Sequence, residues 1–256
     1  MTRLASFTAA AILAPGLALA MPVDLTDWLA EGAGNWNRAA DNNSVTQTLN
    51  NNPTVFHNNI DSQGQALSGT IRVNTTSDDD FIGFVLGYKA GDLTNPDADY
   101  ILIDWKQGNQ NYHNCLGAAG LAISRVTGVL GDNSGAWCHD PANNVTELQR
   151  AANLGSTGWG NLTTHTFDLE FTSTAIRVFV DGEKELDISG SFGNGSFGFY
   201  NYSQANVTYA GLTQQQLPPE PDPAPETGVV PAPAAAPLLL AGLGGLVWLR
   251  RRRPQG

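Results

Sequence analysis

The sequence predicts an all-β domain, a sandwich or jelly roll, and three observations carry that expectation. Nine apolar runs of about eight residues recur at short spacing between residues 67 and 210, which is the pattern of half-buried and fully buried strands. The 28 glycines supply the turns between them. Asp181-Gly182 lies between IRVFV and EKELDI, and a two-residue type I′ hairpin needs the positive φ that Asp-Gly adopts readily.

Residues 24–59 are rich in Asn, Trp and Ala with little periodicity, and only 45–49 alternates enough to predict a first strand. Strands are then expected at 67–73, 81–88, 100–106, 121–126, 164–171, 176–181, 184–188, 196–202 and 206–210. The one helix expected is 145–154, where Thr146 and Gln149 are spaced like a capping box. Gly83 and Gly87 in FIGFVLGY bare one face of their strand for close packing against a neighbour. Prolines between 217 and 237 enforce an extended spacer, so the domain is expected to end near Leu212 and the linker to occupy 213–229.

The two ends read as export signals. Arg3, an apolar stretch from 4 to 19 and the Ala18-Leu19-Ala20 site form a leader cut after Ala20. Near the other end, residues 234–249 form an apolar run of 16 residues, short of the roughly 20 that span a bilayer comfortably. The arginines that follow, 250–253, keep to the cytoplasmic side and leave the preceding chain outside. Val230, Pro231, Ala232, Pro233 and Ala234 precede that run, and the order of proline motif, weak span and arginine cluster resembles the bacterial C-terminal sorting tags of the VPLPA (PEP-CTERM-like) type. Alanine stands where such tags usually carry leucine. The resemblance implies a membrane peptidase of the exosortase class as partner and an inner-membrane-anchored precursor; an ordinary single-span anchor is the alternative.

All 24 acidic residues lie between Asp24 and Glu226, whereas Arg3 and the four terminal arginines account for five of the 13 basic ones. The exported part thus carries about −16, which repels nucleic acid phosphates and anionic lipid and attracts divalent cations. No nucleic acid partner is expected. Some 195 residues suffice for one β domain with a full core. Cys115 and Cys138 are the only cysteines, and outside the cytoplasm they most simply form one disulfide. A zinc site from His113, Cys115, Cys138 and His139 is the alternative, although neither spacing is a usual zinc pair.

The densest polar feature is Thr76-Ser77-Asp78-Asp79-Asp80, on a turn just before FIGFVLGY. Three adjacent carboxylates repel one another unless a cation sits among them, and hard divalent ions take oxygen ligands of this kind. The triplet is either a calcium site or a solvated acidic turn.

Six strings occur in a familiar order: NTTSDDDFIGFVLGY, DYILIDWKQ, GLAISRVTGVLG, GWGNLTTHTFDLEF, IRVFVDGEKELD and GSFGFYNYSQANVTYAGL. Together, over about residues 36–212, they make the chain similar to the C-terminal domain of thrombospondins. The resemblance implies a jelly roll of the concanavalin and legume-lectin type, calcium as cofactor, and a role in adhesion or matrix contact at the cell surface. Carried over by motif, Asp78, Asp79 and Asp80 are the expected calcium ligands. An insert at 91–98 and Asp104 depart from the animal pattern; Asp97, Asp99 and Asp104 either add ligands or face water.

The same jelly roll carries glycoside hydrolases whose three carboxylates alternate along one strand, two of them about 5 Å apart for retention. The nearest string is Thr166-Phe167-Asp168-Leu169-Glu170, with Thr166 where the nucleophile belongs. Asp168 and Glu170 therefore read as the wet face of an outer strand, and no enzyme is expected. The histidines 57, 113, 139 and 165 lack any catalytic spacing and read as loop or surface residues. Binding of carbohydrate, or its degradation, is the alternative function: Trp36, Trp137, Trp159 and Tyr112 fall in expected loops, where rings either stack on sugars or plug the core.

Overall fold

The computed structural model describes residues 19–219. The body of the leader, the sorting motif, the apolar run and the arginine cluster lie outside the described residues. Among the described residues no helix is long and apolar enough to cross a membrane.

The strands are β1 (Met21–Pro22), β2 (Leu29–Gly32), β3 (Trp36–Arg38), β4 (Val45–Gln47), β5 (Thr54–His57), β6 (Gln65–Val73), β7 (Phe81–Tyr88), β8 (Tyr100–Lys106) and β9 (Gln110–Tyr112). There follow β10 (Cys115–Gly117), β11 (Gly120–Val126), β12 (Val145–Arg150), β13 (Thr164–Phe171), β14 (Ala175–Val180), β15 (Glu183–Ser189), β16 (Ser196–Tyr202) and β17 (Val207–Gln216), with one short helix, α1 (Ser134–Cys138). They build an outer sheet in the order β15-β14-β13-β6-β17-β4-β3, with β1 on β17, and an inner sheet in the order β12-β11-β8-β7-β16-β5-β2. Every pairing is antiparallel, and β9 and β10 form a separate ribbon.

The two sheets differ in a way their sequences encode. β13 alternates polar and buried residues, so its sheet meets water on one face. β7 and β8 are buried at every position. One of their faces, with Ile82, Phe84, Ile103 and Trp105, joins the core between the sheets. The other, with Phe81, Val85, Tyr100 and Leu102, is roofed by Leu93, Leu130, Ala136 and Trp137 from the long connections. That roof is why FIGFVLGY reads as an unbroken apolar run and YILIDWK as a buried one interrupted only by Asp104 before its closing Lys106.

The expected strands are found, and the Asp181-Gly182 turn has φ of 51° and 84°, the positive values a type I′ turn requires. Two expectations are corrected, and one open alternative is decided for the core. Residues 145–150 form a strand, because β11 has an open edge there and Val145, Glu147 and Arg150 pair with Val126, Ser124 and Ala122; a helix would leave those backbone groups without partners. The last strand continues past Leu212 to Gln216, which pairs with Gln65. Trp137 and Trp159 are core residues, 3% and 2% exposed.

Candidate calcium and ligand site

The acidic turn is fastened on three sides before any ligand is considered. The Asp79 carbonyl accepts the N–H groups of Gln107 and Gly108 at 3.1 and 3.3 Å, tying it to the end of β8. The Asp80 N–H donates to Gln204 at 3.1 Å, and its carbonyl accepts from the Trp159 indole at 3.0 Å. The carboxylates of Asp78, Asp79 and Asp80 converge, with one oxygen from each lying within 4.8 Å of the others. Asp80 is buried and the other two are half-buried.

A cation already stands in this cluster. Lys106, at the end of β8, brings its ammonium 2.5 Å from Asp80 Oδ1, 3.8 Å from Asp79 Oδ1 and 3.2 Å from the Asp79 carbonyl. It also lies over the rings of Phe81 and Trp137, 5.0 and 4.6 Å from their centroids, so the charge is held by carboxylate and π faces together. Its side chain is fully buried. The second half-buried acid, Asp78, takes a hydrogen bond from the Asn50 amide; its own burial and the neighbouring Asp80 carboxylate push its pKa up to about 6.

These residues fit a hard divalent ion. Asp80 is engaged by Lys106, whereas Asp78 and Asp79 offer oxygens that repel each other and face partly outward. Asp97, Asp99 and Asp104 stand apart from the turn. Asp97 is exposed, Asp99 takes two hydrogen bonds of 2.6 Å from Arg125, and Asp104 is buried against His139.

Beside the acidic turn runs a groove of about 320 Å³. Asn50, Asn51 and Asn52, an asparagine wall, line it together with Asp80, Asp132 and the half-exposed Tyr112. Ser203 buttresses the asparagine wall, its hydroxyl donating to Asn50 Oδ1 at 3.2 Å and its N–H to the Asn51 carbonyl at 2.7 Å. Asp132 Oδ1 is held by the Tyr202 hydroxyl and by His113 Nε2 at 2.8 Å. Sequence reading missed Lys106, Asp132 and the asparagine wall. Only Lys106 left a signal, a charge closing the mostly apolar run YILIDWK.

The disulfide joins the two aromatic elements of the site. Cys115 and Cys138 are bonded, which removes the zinc alternative. Cys115 is the cross-strand partner of Tyr112, and Cys138 follows Trp137, whose ring meets Tyr112 edge-on at 5.1 Å.

Two histidines expected at the surface are buried. His139 is sandwiched between Asp104 and Glu147, at 2.9 and 2.7 Å. Burial works against its charge, yet the two carboxylates prevail and raise its pKa to about 9. His57 lies fully buried between Ser196 Oγ at 3.3 Å and Glu31 Oε1 at 3.4 Å. That series does not make a hydrolytic site, because Nδ1 also accepts the Asn59 N–H at 3.2 Å and Ser196 is only 3% exposed. Asp168 and Glu170 belong to the outer sheet, where they contact Ser68 and Arg177. They do face water, although β13 is an interior strand of that sheet.

The family model described as "Thrombospondin C-terminal region" matches residues 31–216. Thrombospondin-3b of Danio rerio is 24% identical over 196 residues, covering 70% of this chain and 20% of the relative. Cartilage oligomeric matrix protein of Rattus norvegicus is 25% identical over the same length, covering 70% and 25%. The chain thus spans a fifth to a quarter of the length of these relatives. Among solved structures, the carbohydrate binding module CBM66 from Bacillus subtilis superposes with a TM-score of 0.51 at 9% identity, covering 74% of this chain and 96% of the module. The exoplasmic domain of VIP36, in a form bound to Ca2+ and Man3GlcNAc, gives 0.51 at 15% identity, covering 80% and 90%. Those likenesses identify the fold as a jelly roll of the legume-lectin type. With the family match spanning nearly all of both sheets, the chain belongs to the thrombospondin C-terminal region family.

Proposed function

We propose that this chain is an exported, calcium-binding protein of the cell surface or extracellular matrix that acts in adhesion or recognition and catalyses no reaction. The observation that carries this reading is the convergence of Asp78, Asp79 and Asp80 within 4.8 Å on the turn that enters β7, beside an open polar groove. Family membership supports calcium, and the matrix protein among the relatives supports an extracellular setting. Partners of this class are extracellular polysaccharide or a surface protein. Among the described residues, the carboxylates that resemble a hydrolase set, Asp168 and Glu170, sit on the other sheet from the groove, which favours binding over cleavage.

The proposal includes removal of the leader after Ala20, a jelly roll over 21–212 extended by the last strand, a proline linker, and a sorting signal at 230–256 handled by an exosortase-type peptidase. Intact mass of the protein recovered from cells reads both processing events.

Calcium titration of the melting temperature tests the central claim. A rise of several degrees is expected for the wild type and its loss in Asp78→Asn/Asp79→Asn. An unchanged melt in millimolar calcium would sink the claim.

A further inference from the structure

We infer that the groove between the asparagine wall and Tyr112 is a glycan subsite that takes a neutral sugar unit. The inference rests on the proposed role in recognition and says where, and for which ligand class, that role is exercised.

Its volume of about 320 Å³ falls at the lower end of the range of ligand pockets, and its lining is polar where sugars are polar. Asn51 and Asn52 present side-chain amides, each of which both donates and accepts, as paired ring hydroxyls do. Asp132 is fixed through Oδ1 by Tyr202 and His113, which aims its Oδ2 as an acceptor for a hydroxyl. On the rim, Tyr112 is 48% exposed, a large aromatic at the mouth of a polar groove whose ring can cover the C–H face of a pyranose.

Charge selects among sugars. Asp80 and Asp132 line the groove, Asp78 is bonded to the lining residue Asn50, and the ammonium of Lys106 is fully buried on Asp80. With Asp80 held by Lys106 and the Asp78–Asp79 pair the place of the proposed ion, a uronate or sulfated unit would still meet the Asp132 carboxylate, whereas a neutral hexose would not be repelled.

The platform is also stiffened in advance. Tyr112 sits opposite Cys115 in its ribbon, and the bond to Cys138 ties that ribbon to the segment carrying Trp137. Binding then needs little reordering of the aromatic wall.

Affinity electrophoresis of the purified full chain tests the assignment, in gels containing mannan, dextran or galactan as neutral polymers and alginate as the acidic one. Retardation by at least one neutral polymer is expected, weakened about tenfold or more in Tyr112→Ala, with none by alginate. Retardation by alginate alone, by no polymer, or equally for wild type and Tyr112→Ala would overturn it. The calcium-dependent melt, measured on the same samples, separates the two readings. Absent retardation with the calcium shift intact removes the subsite alone, and Tyr112-dependent retardation without a calcium shift supports the subsite while removing the calcium reading.

Discussion

The Lys106 ammonium lies 2.5 Å from Asp80 Oδ1, and the two side chains are 0% and 5% exposed. A pair so removed from water is costly to form and more costly to break, since deleting one partner strands the other charge. The same contact divides the aspartate triplet: Asp80 is committed inward to Lys106, and the proposed ion would be met by Asp78 and Asp79.

Lys106→Met is therefore expected to lower unfolding free energy by about 3–5 kcal/mol, read from urea denaturation. Adding Asp80→Asn to Lys106→Met should recover part of that loss, because the stranded charge is removed. A single-variant loss below about 1 kcal/mol, within the range of an exposed pair, would contradict the buried-pair reading.

Two glycines near the site respond oppositely to a methyl group. At Gly108 an added Cβ would lie 2.3 Å from Asp79 Oδ2, the movable end of a side chain. Gly108→Ala is expected to leave stability within about 1 kcal/mol while turning Asp79 aside and cutting calcium affinity several-fold by isothermal titration. At Gly83 the Cβ would lie 2.0 Å from the Ile103 carbonyl, backbone of an interior strand. Gly83→Ala should cost about 3 kcal/mol or more through overpacking, and a Gly83→Ala chain of wild-type stability would show that β7 and β8 are not in such close approach.

The strands of both sheets were legible because their apolar patterns differ with their surroundings, alternating in β13 and continuous in β7 and β8. The acidic turn was legible for a simpler reason, three charges in a row. What stayed hidden depends on distance along the chain. Asp132 is held at the groove by Tyr202, 70 residues away, and by His113, 19 residues away, and the asparagine wall reads in isolation as a loop. Residues 145–150 were misread because a capping-box spacing is local, whereas the need of β11 for an edge partner is not. Trp137 and Trp159 fall in expected loops, and nothing local reveals that the first roofs the inner sheet and the second enters the core between the sheets.

His139 gives the stability of the roof a pH dependence of definite sign. Asp104 and Glu147 hold its pKa near 9, above the roughly 6.5 of an unfolded histidine. Its contribution is therefore complete below about pH 6.5 and is lost as pH rises through 9, an effect on the order of 2–3 kcal/mol. Urea midpoints at pH 6 and pH 9.5 should differ in that direction for the wild type, and His139→Gln should flatten the difference. A wild-type midpoint unchanged between the two pH values would mean that His139 is uncharged in the fold.

The disulfide supports two functions that can be measured separately. It closes a loop between residues 23 apart, and loop closure of that length stabilises a fold by roughly 3 kcal/mol in the chain-entropy account. Cys115→Ser/Cys138→Ser should lose about that much in urea denaturation, bringing it near the cost of Lys106→Met. The acidic turn is fastened instead by Gln107, Gly108, Gln204 and Trp159, none of which belongs to the bridged segment. The calcium-dependent rise in melting temperature should accordingly survive in the disulfide-free chain, measured from its lower starting point. Loss of the rise together with the bridge would place the ion nearer Asp132 and the roof than the turn before β7.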